Sequence, residues 1–226
     1  MYYIKNLFIK NEKWKVMVPQ ESLWLQKNWW ILWDINASAD NPRQVLISCE
    51  DDIGRYNILP WKIRENICIS GDFCQKLESG DEVRIWNNLK IRITYPCEPC
   101  NYLTKVENLP IKNLWEFEKY RWRLGYIISS WEIKLNDKCT ITKNIYASLP
   151  KNIFDRFLHF ADIISDGEIT NYLTMIKLMW VADSYVRAMP RYISKSDYLS
   201  GKILPKDIYN NSTYPKRNFT WIFDKV

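Results

Sequence analysis

Through the first 146 residues, short apolar, β-branched runs alternate with turn-forming breaks. That spacing restricts the segment to a mostly β fold made of many short strands. Trp14-Lys15-Val16-Met17-Val18-Pro19 reads as a strand closed by proline. Trp29 to Ile35 reads as a buried strand or as the aromatic wall of a pocket, and Asn36 to Pro42 as a polar turn. Arg43-Gln44-Val45-Leu46-Ile47-Ser48 reads as a strand entered by a basic residue. Glu50 to Tyr56 suits a short helix that Pro60 ends. Arg64-Glu65-Asn66-Ile67-Cys68-Ile69 then leads to a turn at Gly71-Asp72, and Leu77 to Asp81 forms a loop with Gly80. Val83-Arg84-Ile85 and Leu89-Lys90-Ile91-Arg92-Ile93, joined at Asn87-Asn88, predict a hairpin with its basic positions facing solvent. Asn113 to Arg123 has helical spacing. Tyr126-Ile127-Ile128 and Trp131-Glu132-Ile133 read as closing strands, with a turn at Asn136-Asp137 before Cys139-Thr140-Ile141. Such a series closes most simply into a barrel.

The pattern changes near Ser148. Ser148-Leu149-Pro150 suits a helix start, with proline near the first turn. Phe154, Phe157, Leu158, Ala161 and Ile164 follow at helical spacing, then further helical stretches from Ile169 to Trp180 and Asp183 to Tyr192. The predicted class is therefore α+β: a mostly β, barrel-like domain over 1–146, then a small helical domain of winged helix-turn-helix type over 147–226. Its polar tail ends in Phe219-Thr220-Trp221-Ile222-Phe223, which is expected to pack back on the body.

Hydrophobic residues make up 47% and charged residues 26% of the 226 positions, which excludes a wholly disordered chain. The net charge is +6. Residues 1–146 carry 21 basic and 18 acidic side chains, so neither part is a strong electrostatic magnet for nucleic acid. No apolar run approaches the ~20 residues of a membrane span, and the start of the chain lacks a signal-peptide core. A cytoplasmic protein with no membrane partner is expected, its six cysteines reduced thiols.

Two of those cysteines, Cys97 and Cys100, stand three apart in the loop that ends an apolar run, Ile93-Thr94-Tyr95-Pro96-Cys97-Glu98-Pro99-Cys100. Three chemistries suit the spacing. One is thiol-disulfide exchange with a resolving thiol. Another is a zinc site, disfavoured because Cys49, Cys68, Cys74 and Cys139 supply no second matching pair. The third is a persulfide carrier or metal-thiolate centre, which needs an exposed thiolate near cations. Two buried thiols closing a strand is the purely structural alternative.

Residues 43–100 resemble the MOSC domain, the module at the C-terminus of molybdenum-cofactor sulfurases. Arg43-Gln44-Val45, Arg64-Glu65-Asn66-Ile67 with Gly71 after it, Leu77, Gly80-Asp81, Val83-Arg84-Ile85 and Pro99-Cys100 carry the likeness in order and spacing. A weaker extension runs from Arg123-Leu124-Gly125 to Asn136-Asp137, where Ser130-Trp131 replaces the family's glycine. The resemblance implies a β barrel whose Cys100 carries sulfur as a persulfide or ligates molybdenum of a molybdenum-pterin cofactor, with Cys97 as second thiol. It also brings the family's association with molybdenum-ion and pyridoxal-phosphate binding. Arg43 and Arg64, with Asn66 as neutral partner, would line an anion-binding wall able to hold a cofactor phosphate. Sulfurtransferase or molybdenum-dependent oxidoreductase activity would follow, and a cysteine desulfurase or a molybdoenzyme would be the partner.

Asp166-Gly167-Glu168-Ile169-Thr170-Asn171-Tyr172, with Phe154, Phe157, Ile164 and Ala188-Met189, resembles the DNA-binding domain of alkylguanine-DNA alkyltransferases. That family's Pro-Cys-His-Arg motif is absent, and no cysteine follows Cys139, so alkyl transfer onto this domain is excluded. What the resemblance leaves is a scaffold for a modified base or nucleic acid, with Tyr172, Arg187 and Arg191 as candidate contacts. A non-enzymatic binding module is thus the alternative function. His159 is the sole histidine, which removes multi-histidine metal sites and makes a Ser-His-Asp triad a poor fit.

Overall fold

The computed structural model describes residues 1–13, 15–27, 30–35, 44–86, 88–97, 122–150 and 155–156. The chain divides into two compact units, Met1–Ser148 with Phe219–Val226, and Leu149–Asn218. In the first unit the described strands are β1 (Tyr2–Ile9), β2 (Val18–Gln20), β3 (Ser22–Gln26), β4 (Trp30–Ile31), β5 (Val45–Cys49), β6 (Ile67–Ile69), β7 (Glu82–Ile85), β8 (Leu89–Pro96), β9 (Arg123–Ile127), β10 (Trp131–Lys134) and β11 (Lys138–Thr142). Helix α1 (Glu50–Arg55) follows β5, and a 3-10 turn spans Phe73–Lys76.

The strands run in the order β11-β7-β8-β9-β5-β6-β1-β2, and β1 also pairs with β11 through Tyr2↔Cys139 and Tyr3↔Lys138. Seven strands thereby close into a barrel, leaving β2 as a flap on the far end of β1 through Leu7↔Gln20 to Ile9↔Val18. Closure removes the open edges that β sheets otherwise expose. β1 serves three neighbours in eight residues, and its register with β6 shifts between Ile4 and Asn6, the local bend such a corner needs. Strand β5 (Val-Leu-Ile-Ser-Cys) is buried at every position, lying between the parallel β6 and the antiparallel β9. A second sheet, β10-β3-β4, adds Leu23, Leu25, Ile31 and Ile133 to the same apolar cluster as Ile47, Ile67, Ile91 and Ile127.

Strand polarity gives the barrel two distinct ends. β5 and β6 run parallel, with Ile47 beside Ile67. β9 opposes β5 through Ile47↔Arg123, and β8 opposes β9 through Pro96↔Arg123. The end of β5, the end of β6, the start of β9 and the end of β8 therefore share one rim. The end of β1 and the starts of β2, β5 and β6 form the other.

Several expectations change. The stretch from Trp29 to Ile35 is not one buried strand. Pairing covers only Trp30–Ile31, and the chain turns at Trp33, which has φ 70° and is 81% exposed. Buried Asp34 fixes that turn by accepting the Lys10 backbone N–H at 3.0 Å. The strand expected over 14–19 is displaced to Val18–Gln20. The helical spacing of 113–123 does not carry through Arg123, which opens β9; residues 113–121 lie outside the described residues. Of the hairpin's basic positions, Arg92 is not in solvent but 1% exposed. Its Nη2 donates to the Ala147 carbonyl at 2.9 Å and its guanidinium lies 5.2 Å from the centre of the Tyr146 ring. Tyr146 in turn donates to buried Glu82 at 2.7 Å, which also receives Arg84 Nε at 2.5 Å. A buried charge is tolerated only with such partners.

In the second unit, Asp155 and Arg156 are helical, and Arg156 Nε donates to the Pro150 carbonyl at 2.9 Å. The winged helix-turn-helix reading otherwise falls outside the described residues.

Candidate functional site: a thiol rim and a cationic pocket

The apolar run of β8 ends at Pro96, so Cys97 leaves the barrel at the rim shared with the start of β9. Its backbone N–H donates to the Trp122 carbonyl at 3.1 Å, which extends the β8–β9 ladder one residue past the proline. Cys97 is partly exposed, whereas Cys49, Cys68, Cys74 and Cys139 are buried free thiols. Burial pushes the Cys68 thiol up to about 12 and raises Cys74 and Cys139 well above the ordinary thiol range. Arg123 stands across from Pro96 in the ladder and is anchored by donating Nε to the Leu77 carbonyl at 2.9 Å. Its charge acts on the carboxyl of Asp52 and on the Cys74 thiol.

The other rim carries a cavity of about 250 Å³ lined by Lys10, Lys15, Val16, Met17, Trp61, Lys62 and Arg64. Lys10 follows the last residue of β1, and Lys15 to Met17 lead into β2. The remaining three residues sit on the turn before β6. That turn is tight: Trp61 and Arg64 both adopt left-handed φ, 73° and 64°. Buried Glu65 holds it by accepting the Trp61 N–H at 2.7 Å, and Arg64 N–H closes onto the Trp61 carbonyl at 3.0 Å. Burial lifts the Glu65 carboxyl to about 7. Lys10 is only 8% exposed, and its pKa is lowered by burial first and by Arg64 second, against the pull of Asp34. Two crowded cations in a pocket that also holds an indole suit an anion with a planar group attached.

Asn66 lies behind this pocket rather than in it. It is 6% exposed; its Oδ1 accepts the Leu46 N–H at 3.0 Å, and its Nδ2 donates to the Phe8 carbonyl at 3.4 Å and to Asp34 at 3.3 Å. Its amide ties β1, β5 and the Asp34 turn together, so its effect on an anion would pass through Asp34 and Lys10. Arg64 does sit in a cationic wall, but Cys97 is at the opposite rim, so the structure does not bring these two together. Arg43, Cys100, Tyr172, Arg187 and Arg191 lie outside the described residues. Lys10, Lys15, Trp61 and Lys62 were not singled out in sequence. Trp61-Lys62-Ile63-Arg64 is a legible aromatic-cation cluster, whereas Lys10 joins only through the β1–β6 pairing.

Among the described residues, an aromatic wall is built from tryptophans outside 30–35. Trp24, Trp86 and Trp131, with Asn88, Glu132, Lys134 and Asp137, line an open cleft of about 700 Å³. Alternation along Ser22–Gln26 turns Trp24 outward while Leu23 and Leu25 are buried.

No family model and no curated protein matches this sequence. Solved structures do match the fold. YuaD from Bacillus subtilis superposes with a TM-score of 0.51 at 16% identity, over 62% of this chain and 96% of its own. YiiM from Geobacillus stearothermophilus gives 0.52 at 11% identity, over 85% and 99%. A protein described only as hypothetical gives 0.53 at 14%, over 90% and 93%. YuaD and YiiM are of the MOSC-domain type, and the barrel described here has a MOSC-like fold.

Proposed function

We propose that this chain is a MOSC-like sulfur carrier whose working thiols lie in the loop leaving β8, with Cys100 as carrier and Cys97 as second thiol. One observation carries the reading: among the described cysteines only Cys97 is not buried. Cys68, Cys74 and Cys139 are poor nucleophiles because burial disfavours their thiolates. The assignment of Cys100 rests on the family resemblance.

The chemistry is a sulfane transfer. A carrier thiolate attacks the terminal sulfur of a donor persulfide. A new S–S bond forms at the carrier, the donor's S–S bond breaks, and the donor leaves as thiolate. An acceptor nucleophile then takes the terminal sulfur and returns the carrier to thiolate. Arg123 would favour both anionic states. A cysteine desulfurase is the donor class this requires.

A molybdenum-pterin cofactor would need a thiol for the metal and cations for its phosphate. The described residues do not fit one small cofactor held by Cys97 and Arg64 together, because they occupy opposite rims. No step is therefore assigned to that group. The cationic pocket with Trp61 favours a second reading, a module that binds a phosphate-bearing aromatic ligand such as a nucleotide or modified base.

Sulfur loading of single variants by a desulfurase and cysteine tests the proposal. Cys100→Ser should abolish loading and Cys97→Ser should only weaken it. Equal loading of Cys100→Ser and the parent would overturn it.

A further inference from the structure

We propose that Cys49, Asp52 and Cys74 form a buried binding site for a thiophilic divalent cation of the zinc and cadmium class, using neither Cys97 nor Cys100. Cys49 Sγ, Cys74 Sγ and an Asp52 carboxylate oxygen all lie within 4.8 Å of one another, and all three residues are buried. Tetrahedral zinc with bonds of ~2.3 Å to sulfur needs its sulfurs about 3.8 Å apart, so small side-chain rotations close the set. Two thiolates and one carboxylate are a donor set selective for soft d10 ions over magnesium or calcium.

The scaffold places these donors from three elements. Cys49 ends β5, Asp52 lies one turn later on α1, and Cys74 sits in the 3-10 turn Phe73–Lys76. Backbone geometry therefore fixes the set without any paired Cys-x-x-Cys motif. The missing second pair that argues against zinc at the Cys97 loop does not bear on it.

The carboxylate is already oriented as a ligand would be. Gln75 Nε2 donates to Asp52 Oδ1 at 2.9 Å, and Asp52 Oδ2 accepts the Cys49 thiol at 2.9 Å. Outer partners that hold one carboxylate oxygen and aim the other are usual at metal centres. The Ile47 carbonyl, 3.6 Å from Cys74 Sγ, offers an oxygen as a fourth donor. Two thiolates, a carboxylate and a divalent ion leave one net negative charge. Arg123 and Arg55 are the cations whose fields reach Asp52 from the neighbouring strand and from α1 itself.

Binding exchanges two thiol protons for one divalent cation, with no change of oxidation state. Affinity should therefore rise with pH.

Cadmium is the probe, added to reduced, chelator-treated, full-length protein carrying Cys97→Ser and Cys100→Ser. The proposal predicts one cadmium per chain retained after desalting, with ultraviolet thiolate-to-cadmium absorption. Cys74→Ala in that background should retain less than a tenth as much, while Cys139→Ala, another buried thiol, should retain one equivalent. Should Cys74→Ala fail to fold by circular dichroism, the isosteric Asp52→Asn replaces it, with weaker cadmium retention expected. No cadmium in the double-serine protein, or retention unchanged in the folded cluster variant, would overturn the proposal.

Discussion

Glu65 shows how one buried acid couples stability to pH. Its carboxyl titrates near 7 in the folded chain because burial disfavours the anion. Between the ordinary carboxylate pKa of 4.5 and about 7, the unfolded chain loses this proton while the folded chain keeps it. Stability then falls as pH rises through that window, by at most about 3 kcal/mol, and levels off above it. Glu65→Gln keeps an acceptor for the Trp61 N–H and removes the titration. Urea midpoints should drop between pH 5 and pH 8 in the parent and stay nearly level in the variant; parallel drops would contradict the assignment. The cysteines offer a second test at this scale. Iodoacetamide at pH 8, with peptide mapping, should label Cys97 in the native chain and reach Cys49, Cys68, Cys74 and Cys139 only after unfolding. Rapid native labelling of any of those four would count against the burial argument.

At the scale of elements, the Gly80-Asp81 loop and the Tyr146 segment act as one clasp over β7 and β8. Gly80 has φ +92°, and a Cβ there would sit 2.5 Å from the Tyr146 carbonyl oxygen, a backbone atom that cannot step aside cheaply. Asp81, fully buried, accepts the Glu78 and Asn144 N–H groups and pairs with Lys143 at 2.9 Å. Gly80→Ala should therefore destabilise the fold by about 2–4 kcal/mol, combining left-handed strain with overpacking. Tyr146→Phe removes the hydroxyl bond to Glu82 and keeps the ring beside Arg92, for a loss of about 1.5–3 kcal/mol. Equilibrium urea unfolding reads both, and a change below about 0.5 kcal/mol in either would show that the clasp is slack.

The same elements show what a sequence can and cannot tell. β5 announces itself as a short apolar, β-branched run, and α1, the β7–β8 hairpin and β10 through local pattern and turn residues. Local pattern misplaced Arg92, because alternation says which positions share a face and not which face closes on Tyr146. It over-extended the 29–35 strand, because the turn there depends on Asp34 reaching back to Lys10, 24 residues away. Cys97 was legible from its proline loop. The cationic pocket was legible only at Arg64, since Lys10 and Lys15 join it through barrel closure. The Cys49–Asp52–Cys74 cluster was hidden by the 21 residues between its last two members.

At the scale of the whole barrel, two rims of one MOSC-like fold stand apart. Sulfur chemistry is assigned to the rim where β8 ends, and anion binding to the rim where β6 begins. Among the described residues no helix is long and apolar enough to cross a membrane. If the rims work independently, Arg64→Ala should weaken binding of a phosphate-bearing ligand and leave sulfur loading within about twofold, whereas Arg123→Ala should slow loading by about tenfold, a shift of ~1.4 kcal/mol. Loading lost equally in both would join the two sites into one. The most direct test of the central claim is native intact-mass spectrometry of the protein purified without oxygen from its own host, followed by peptide mapping. One added sulfur, mapped to Cys100, is expected. A clean apo mass with all six thiols free, or a molybdenum-pterin adduct in place of the sulfur, would contradict it.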